Sequence, residues 1–444
     1  MSSDTTPEPD IELAEQLFSE LDSATRDGRG IRRDSYGPGE DAAHEIVRNA
    51  GERLGLEIDR DAALNLYLTL PGKDRSLPAV FIGSHLDSVD QGGNFDGAAG
   101  VLAGLAVAAG FKNAGVQPER DITVMAIRCE EAHWFDGPYV GTNLAFGRLD
   151  PGYLDDLKRS DTGRTLADHM AECGGDVEAL RRQEASLEPS KIAAYVELHI
   201  EQAPVLVEAE LPIGLVTGIR GYRRYSSVRC TGVYGHSGAL PRRSRADAVA
   251  ASVHLIEELN REWVRLEEQE GRDLVFTVGQ FSTDERYHGP SKVAGETSFS
   301  LDFRSIETQT LDHMMDVLEK TLRRTEHEYG VSFELGARSD SPPAVLSSKL
   351  RGAMKSLAKR DGIAAMEMAS GAGHDAAVFA ELGVPTAMIF VRNRQGSHNP
   401  DEEMEIADFR EGVRLLASFI DAGEPALSGN LGREDQKEEF GQTA

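Results

Sequence analysis

The chain has 444 residues, more than one hydrophobic core usually supports, so two domains, or one domain carrying an insert, are expected. Its formal charge of -28, from 75 acidic against 47 basic residues, opposes nucleic acid and anionic membrane surfaces, both of which need clustered Lys and Arg. Divalent cations stay open as partners, and a solubility device and a high-salt adaptation fit the acidic balance equally.

The first ten residues are polar and lack the basic and apolar regions of a secretory signal, and no apolar run reaches the roughly 20 residues that span a bilayer. A cytoplasmic location is the expectation. Cys129, Cys173 and Cys230 are an odd number without a CxxC pair, which points to neither a disulfide framework nor a thiolate metal site. All three are read as buried small apolar side chains.

In chain order, apolar spacing predicts helices over residues 11–24 and 40–54, then a hairpin-like stretch over 56–70 that closes at Pro71-Gly72. Residues 78–83 read as a strand buried on both faces, 98–109 as a helix of small residues suited to close packing on a sheet, and 122–127 as a second buried strand. The charged, Gly-containing segment 151–183 reads as a helical excursion outside the core, and 192–198 returns to strand. This alternation predicts an α/β catalytic domain with a mostly parallel sheet.

From about residue 218 the pattern becomes strand (225–233), helix (246–266), two strands (274–281 and 297–303), helix (308–329) and strand (331–335). That βαββαβ order is the ferredoxin-like split pattern, taken as an inserted domain over 218–336 between catalytic segments 1–217 and 337–422. Helices over 350–359 and 375–382, a buried strand over 385–391 and an amphipathic helix over 403–421 complete the first domain. The polar tail, 423–444, is expected to be disordered.

Four strands of the first domain share one property: groups able to bind a metal stand at each carboxyl end. His85 and Asp87 follow the first, Glu130-Glu131 the second, His199 the third, and His398 the last after a short loop. Ligands of open α/β sheets bind beyond the carboxyl ends of the strands, so these distant segments should converge. Asp96 stands where a helix dipole favours an ionised carboxylate, placed to bridge two ions. Imidazole and carboxylate together suit zinc, manganese or cobalt. Asp87 is expected to orient His85 rather than bind, and the adjacent Glu130 and Glu131 can divide labour between proton transfer and metal. His44, His133, His169, His254, His313 and His327 lie in charged or helical contexts and read as structural; His288 is undecided.

His85-x-Asp87, Gly93-Asn-Phe-Asp-Gly97, Glu130-Glu131, Glu197-Leu-His-Ile-Glu-Gln202, Gly235-His-Ser-Gly238, Gly373-His-Asp375 and Ser397-His-Asn-Pro400 resemble the hydantoinase/carbamoylase amidases of the M20 metallopeptidase superfamily. The likeness runs from about residue 11 to 421. The Glu197 to Gln202 segment is its specific part, because the peptidases generally place a carboxylate where His199 stands. The resemblance implies one ion on His85, Asp96 and His199 and another on Asp96, Glu131 and His398, with zinc usual and manganese or cobalt substituting. It implies Glu130 as general base, and the insert as a lid and dimerisation domain whose His236 reaches the partner subunit's site in a homodimer. Gln202, Ser291, Arg304 and the 371–374 loop, with Gly373 and His374, match substrate-contacting positions, and Arg304 is suited to clamp a carboxylate.

Three departures touch substrate contacts and leave the metal positions intact. Ser291 stands where the family usually has Asn, Ala203 follows Gln202 in place of Gly, and the loop after His236 reads Ala239-Leu-Pro-Arg-Arg243. The expected reaction is cleavage of the carbamoyl amide of an N-carbamoyl-L-amino acid or related ureido acid. An N-acyl-amino-acid or dipeptide hydrolase of the same fold is the alternative, and a catalytically silent small-acid binder a remoter one.

Overall fold

The computed structural model describes residues 6–429. Those through Thr217 and from Val345 onward form one compact unit, and Gly218–Ala344 forms another.

The first unit is organised by eight strands of a single sheet. Its path runs Ile213–Ile219, Thr386–Val391, Ile192–Ile200, Ala79–His85, Ile122–Ile127, Leu66–Leu70 and Glu57–Arg60, with Ala365–Ser370 paired to Ile213–Ile219. The four strands from Thr386–Val391 to Ile122–Ile127 are mutually parallel. The Glu57–Leu70 hairpin and Ile213–Ile219 pair antiparallel, so the sheet is mixed and the parallel character is confined to its centre. Ile122–Ile127 and Thr386–Val391 are buried at every residue, as strands covered on both faces must be.

Helix Ala98–Asn113 lies against this centre because its residues are small. A Cβ on Gly100 would come within 2.4 Å of the Leu198 carbonyl oxygen, and one on Gly104 within 2.9 Å of Val124. Helices Ile11–Thr25, Ser348–Arg360 and Ile406–Ala422 bury their apolar faces in the same core.

Three expectations need correction. Segment 151–183 is not outside the packing: Leu154, Leu166, Met170 and Leu180 bury themselves with Trp134 and Phe135 in a second apolar cluster beneath short helices. Of the three cysteines, Cys129 and Cys230 are buried, but Cys173 is only partly so. The tail begins with a helical turn, Glu424–Leu427, that buries Ala426, and residues 430–444 lie outside the described residues.

In the second unit, Val275–Thr277 and Phe281–Thr283 pair with Glu296–Ser305, which pairs with Gly221–Thr231, which pairs with Ser332–Leu335 and Arg338–Ser341. All these pairings are antiparallel. Helices Ala248–Glu270 and Thr308–Tyr329 cover one face through Leu255, Leu259, Leu311, Met314 and Leu318 against Phe299, Leu301 and Phe303. The unit ends at Ala344, beyond the predicted 336, because Arg338–Ser341 extends the edge pairing. Among the described residues, no helix is long and apolar enough to cross a membrane.

Candidate metal centre

A cleft of about 180 Å³ opens at the carboxyl ends of the central strands, lined by His85, Asp96, Glu130, Glu131, His199, Gln202, Gly373, His374 and His398, with Tyr139 on its wall. His85 closes its strand and Glu130-Glu131 follow theirs, but His199 lies within Ile192–Ile200 because that strand runs two residues further than predicted. His398 sits on the loop after Asn393–Arg394, half-exposed and with a φ of +58°.

Asp96 is the hub. Its Oδ1 lies 3.2 Å from His199 Nε2 and 3.5 Å from His85 Nε2, while its Oδ2 lies 3.4 Å from His398 Nε2. Glu131 Oε1 is 3.0 Å from the same His398 nitrogen. Two sets of ligand atoms, His85 with Asp96 and His199, and Asp96 with Glu131 and His398, therefore share one carboxylate.

The hydrogen bonds behind these rings decide what the donor set fits. His85 Nδ1 faces the Asp87 carbonyl oxygen at 3.0 Å and His199 Nδ1 faces that of Ile200 at 2.9 Å. A carbonyl only accepts, so both Nδ1 atoms carry hydrogen and both Nε2 atoms are the ones left to face Asp96 or a cation beside it. Asp96 Oδ1 is buried without a hydrogen-bond partner. Imidazole nitrogens and carboxylate oxygens that converge on one buried point, with the Nδ1 hydrogens turned away from it, fit a divalent cation.

Charge states follow the same logic. Burial would raise the Asp96 carboxyl, but the facing imidazoles of His199 and His85 hold it well below the usual range. Burial would lower His85, yet Asp87 and Asp96 carry it well above its ordinary value; burial would lower His199 too, and Asp96 raises it. Glu131 pushes His398 up to about 9. Burial drives Glu130 well above the carboxylate range, against the pull of His85 and with the push of Glu131. Opposed shifts of this kind mark a site shaped for catalysis or for a cation.

In a further group within reach, Glu197 with His199 and His374, the first and last are already engaged elsewhere. Glu197 accepts from Ser84 Oγ at 2.7 Å and from the Ala376 amide at 2.9 Å, and His374 Nε2 meets Ser370 Oγ at 3.0 Å. Burial pushes His374 well below its ordinary value, so it stands neutral in the cleft wall. Gln202 donates to Asp96 Oδ2 at 2.9 Å. Gly373 has to be glycine, since a Cβ there would lie 1.7 Å from the Tyr139 hydroxyl.

The Asp87 carboxylate does more than face His85, whose Nδ1 lies 3.4 Å from its Oδ1. It also accepts the Glu130 and Glu131 amides at 3.1 and 3.2 Å and the Ser35 hydroxyl at 2.6 Å. Sequence reasoning missed Glu40, Arg33 and Glu402, which act on the backbone of the ligand loops rather than on the cleft. Glu402 did leave a signal, the acidic run Asp401-Glu402-Glu403 shortly after His398.

His236, Ser291 and Arg304 belong to the second unit. Gly235–His236 pairs with Lys292–Val293, and the Ser237 amide donates to the Ser291 carbonyl at 3.0 Å, so the exposed His236 and Ser291 are neighbours. Arg304 lies on Glu296–Ser305 and donates from Nη2 to Asp302 Oδ2 at 3.0 Å.

A carboxylate and imidazole cluster at the strand ends of a mixed sheet fits a hydrolase of the metal-dependent kind. Residues 81–422 match the peptidase family M20/M25/M40. The chain belongs to that family and, within it, to the hydantoinase/carbamoylase amidases. It is 32% identical over 395 residues to an N-carbamoyl-L-amino-acid amidohydrolase of Pseudomonas sp. (strain NS671), covering 88% of this chain and 93% of that one. With an allantoate amidohydrolase of Escherichia coli it shares 33% identity, over 88% of this chain and 92% of the other. The crystal structure of a hydantoinase/carbamoylase family amidase from Burkholderia ambifaria superposes with a TM-score of 0.83 at 28% identity, covering 94% and 97% of the two chains.

Proposed function

We propose that this chain hydrolyses the carbamoyl amide of an N-carbamoyl-L-amino acid or related ureido acid, with two divalent cations, zinc foremost and manganese or cobalt as substitutes. The observation that carries the reading is the imidazole of His199 facing the shared Asp96 at 3.2 Å, where the peptidases of the superfamily place a carboxylate. The activities named for relatives above 30% identity support the substrate class.

His85, Asp96 and His199 would hold one ion and Asp96, Glu131 and His398 the other; bound there, the ions would acidify water and polarise the scissile carbonyl. Glu130 is the proton carrier. Its carboxylate takes a proton from the attacking water and returns it to the leaving nitrogen, and burial keeps its proton affinity high enough for both steps. The products are a free amino acid and carbamic acid, which breaks down to carbon dioxide and ammonia.

Gln202, Gly373 and His374 shape the cleft floor. The unit Gly218–Ala344 serves as a ferredoxin-like lid and dimerisation domain, whose His236 enters the partner subunit's site to stabilise the oxyanion while Arg304 and Ser291 address the substrate. The cell compartment is the cytoplasm.

The deciding experiment assays purified protein, loaded with zinc or manganese, on N-carbamoyl, N-acyl and dipeptide substrates. Turnover of the carbamoyl compounds is expected, and exclusive cleavage of acyl compounds or dipeptides would sink the reading. Ser291, shorter than Asn and lacking an amide, favours that second reading of an N-acyl-amino-acid or dipeptide hydrolase. A catalytically silent relative would show neither bound transition metal nor turnover.

A further inference from the structure

The shared ligand Asp96 is held by its backbone as well as by its side chain. Its amide and that of Phe95 both donate to one oxygen of Glu402, at 3.2 and 2.8 Å. Its carbonyl accepts from Arg33 Nη2 at 3.1 Å. Arg33 also donates from Nε to the Leu86 carbonyl at 2.7 Å and from Nη1 to the Asn94 side chain at 3.2 Å. Arg33, Asp96 and Glu402 are all buried.

A buried carboxylate and a buried guanidinium are expensive, and such groups persist where they fix one arrangement against its competitors. Glycine makes room for this one. A Cβ on Gly93 would stand 2.1 Å from the Glu402 carboxyl carbon, so the loop approaches Glu402 as closely as it does only because Gly93 has no side chain.

The position of Glu402 in the chain gives the contact its meaning. His398 and Glu402 share one loop, closed at its base by the pairing of Asn393–Arg394 with Glu403–Met404. Glu402 thus fastens the loop that carries His398 to the backbone of Asp96, 306 residues away in sequence. The two side chains it ties together face each other at 3.4 Å.

We infer that Glu402 is a positioning residue that presents Asp96 and His398 together as a preformed pair for the cation position they share with Glu131. The inference rests on the two-cation reading above. Its contribution is reach: one oxygen placed on two amides. The outer position, completed by the half-exposed His398, depends on that contact, whereas His85 and His199 are held by their own strands.

The test titrates metal-stripped full-length protein with zinc against a chromophoric chelator, resolving the number of ions and the affinity of each. Glu402→Asp keeps the charge and withdraws the oxygen; Glu402→Gln keeps the oxygen and removes the charge. Glu402→Asp is expected to weaken the ion on Asp96, Glu131 and His398 by about 10- to 100-fold, the usual effect of disturbing a group that orients a ligand, and to weaken the other, which keeps His85 and His199, to a lesser degree. Glu402→Gln is expected to bind both ions as the parent does. Should Glu402→Asp not fold, Gly93→Ala, which pushes the carboxylate off the amides, takes its place with the same expected loss.

The inference is overturned if both variants bind as the parent does, if both ions weaken equally, or if Gln loses an ion that Asp keeps. A lower thermal midpoint of the metal-free variants with both affinities intact would mark a merely structural role and overturn it too. A parent protein that binds one ion or none defeats the two-cation reading instead, a different outcome from any of these.

Discussion

At the scale of single residues, the turn after Ile122–Ile127 shows how a short segment is made to carry two functions. Its four successive amides are all taken by side-chain oxygens: Arg128 by Asn65 and Cys129 by Glu40, each at 2.9 Å, and Glu130 and Glu131 by Asp87. Cys129 is driven to a φ of +53°, an uncommon conformation for a side chain of its kind and one held here by its surroundings. The turn sends Glu130 towards His85, 4.0 Å away, and Glu131 towards His398. Glu130→Gln should therefore retain metal while losing about 10²- to 10⁴-fold in kcat, the usual worth of a positioned general base. Metal analysis alongside kcat checks this, and undiminished turnover would remove Glu130 from the mechanism. Gly97 offers a second test. It has a φ of +66°, and a Cβ there would lie 2.5 Å from the His85 ring. Gly97→Ala should cost about 1–3 kcal/mol for the backbone alone. It should also displace His85, so the expected result is a lower denaturant midpoint together with weaker zinc binding. A stable variant with parental affinity would show that the ring can yield.

At the scale of elements, legibility followed how local the physics was. Ile122–Ile127 and Thr308–Tyr329 fall where the pattern placed them, the first an unbroken apolar run and the second a long amphipathic helix. Ile213–Ile219, interrupted by Gly214 and Gly218, was not assigned. Gly214 is glycine because Met368 Sδ would lie 2.4 Å from a Cβ there, a contact from a distant strand that no local pattern announces. The half-buried Ala365–Ser370 was missed for want of an apolar run. Strand-end placement predicts His85, Glu131, His199 and His398 in one neighbourhood, since the rule concerns topology. Glu40, Arg33 and Glu402 grip backbone far away in sequence and leave no periodic trace. One element contact invites a pH test. Glu262 on helix Ala248–Glu270 receives Arg265 Nη2 at 2.7 Å and reaches His313 on helix Thr308–Tyr329, and the hydrogen bonds from Arg265 and then His313 hold its pKa down to about 2. A depressed carboxyl stabilises the fold above its unfolded value of 4.5 and ceases to do so as pH falls through about 2. Because Arg265 and His313 are each over a third exposed, the contribution is on the order of 1 kcal/mol. Glu262→Gln should thus lower the urea midpoint at neutral pH, with the deficit shrinking as pH falls from 4.5 towards 2. A deficit independent of pH would assign the loss to packing.

At the scale of the whole molecule, the net charge of -28 sets a term that no single contact reveals. Self-repulsion of like charge opposes the compact state, and dissolved salt weakens it as the screening length falls from about 10 Å at 0.1 M to about 3 Å at 1 M. The same salt weakens surface ion pairs, so the two effects compete. Exposed pairs such as Arg29–Asp401 and Arg182–Glu184 are each worth roughly 0–1 kcal/mol and have little to lose. Arg128–Glu40 and Arg159–Asp34 are buried and beyond the reach of mobile ions. Repulsion summed over the whole surface therefore outweighs the pairs. The thermal midpoint of the metal-free protein should rise as potassium chloride goes from about 0.1 M to about 1 M, in a regime where screening dominates. Chloride is the suitable anion because sulfate would strengthen apolar burial on its own account. Metal-free protein is needed because a cation bound at the site adds a separate stabilisation, about 2.7 kcal/mol at a hundred times its Kd, which would mask the slope. A midpoint that falls with chloride would mean that the surface pairs act as a cooperative network, with the acidic excess tolerated rather than opposed.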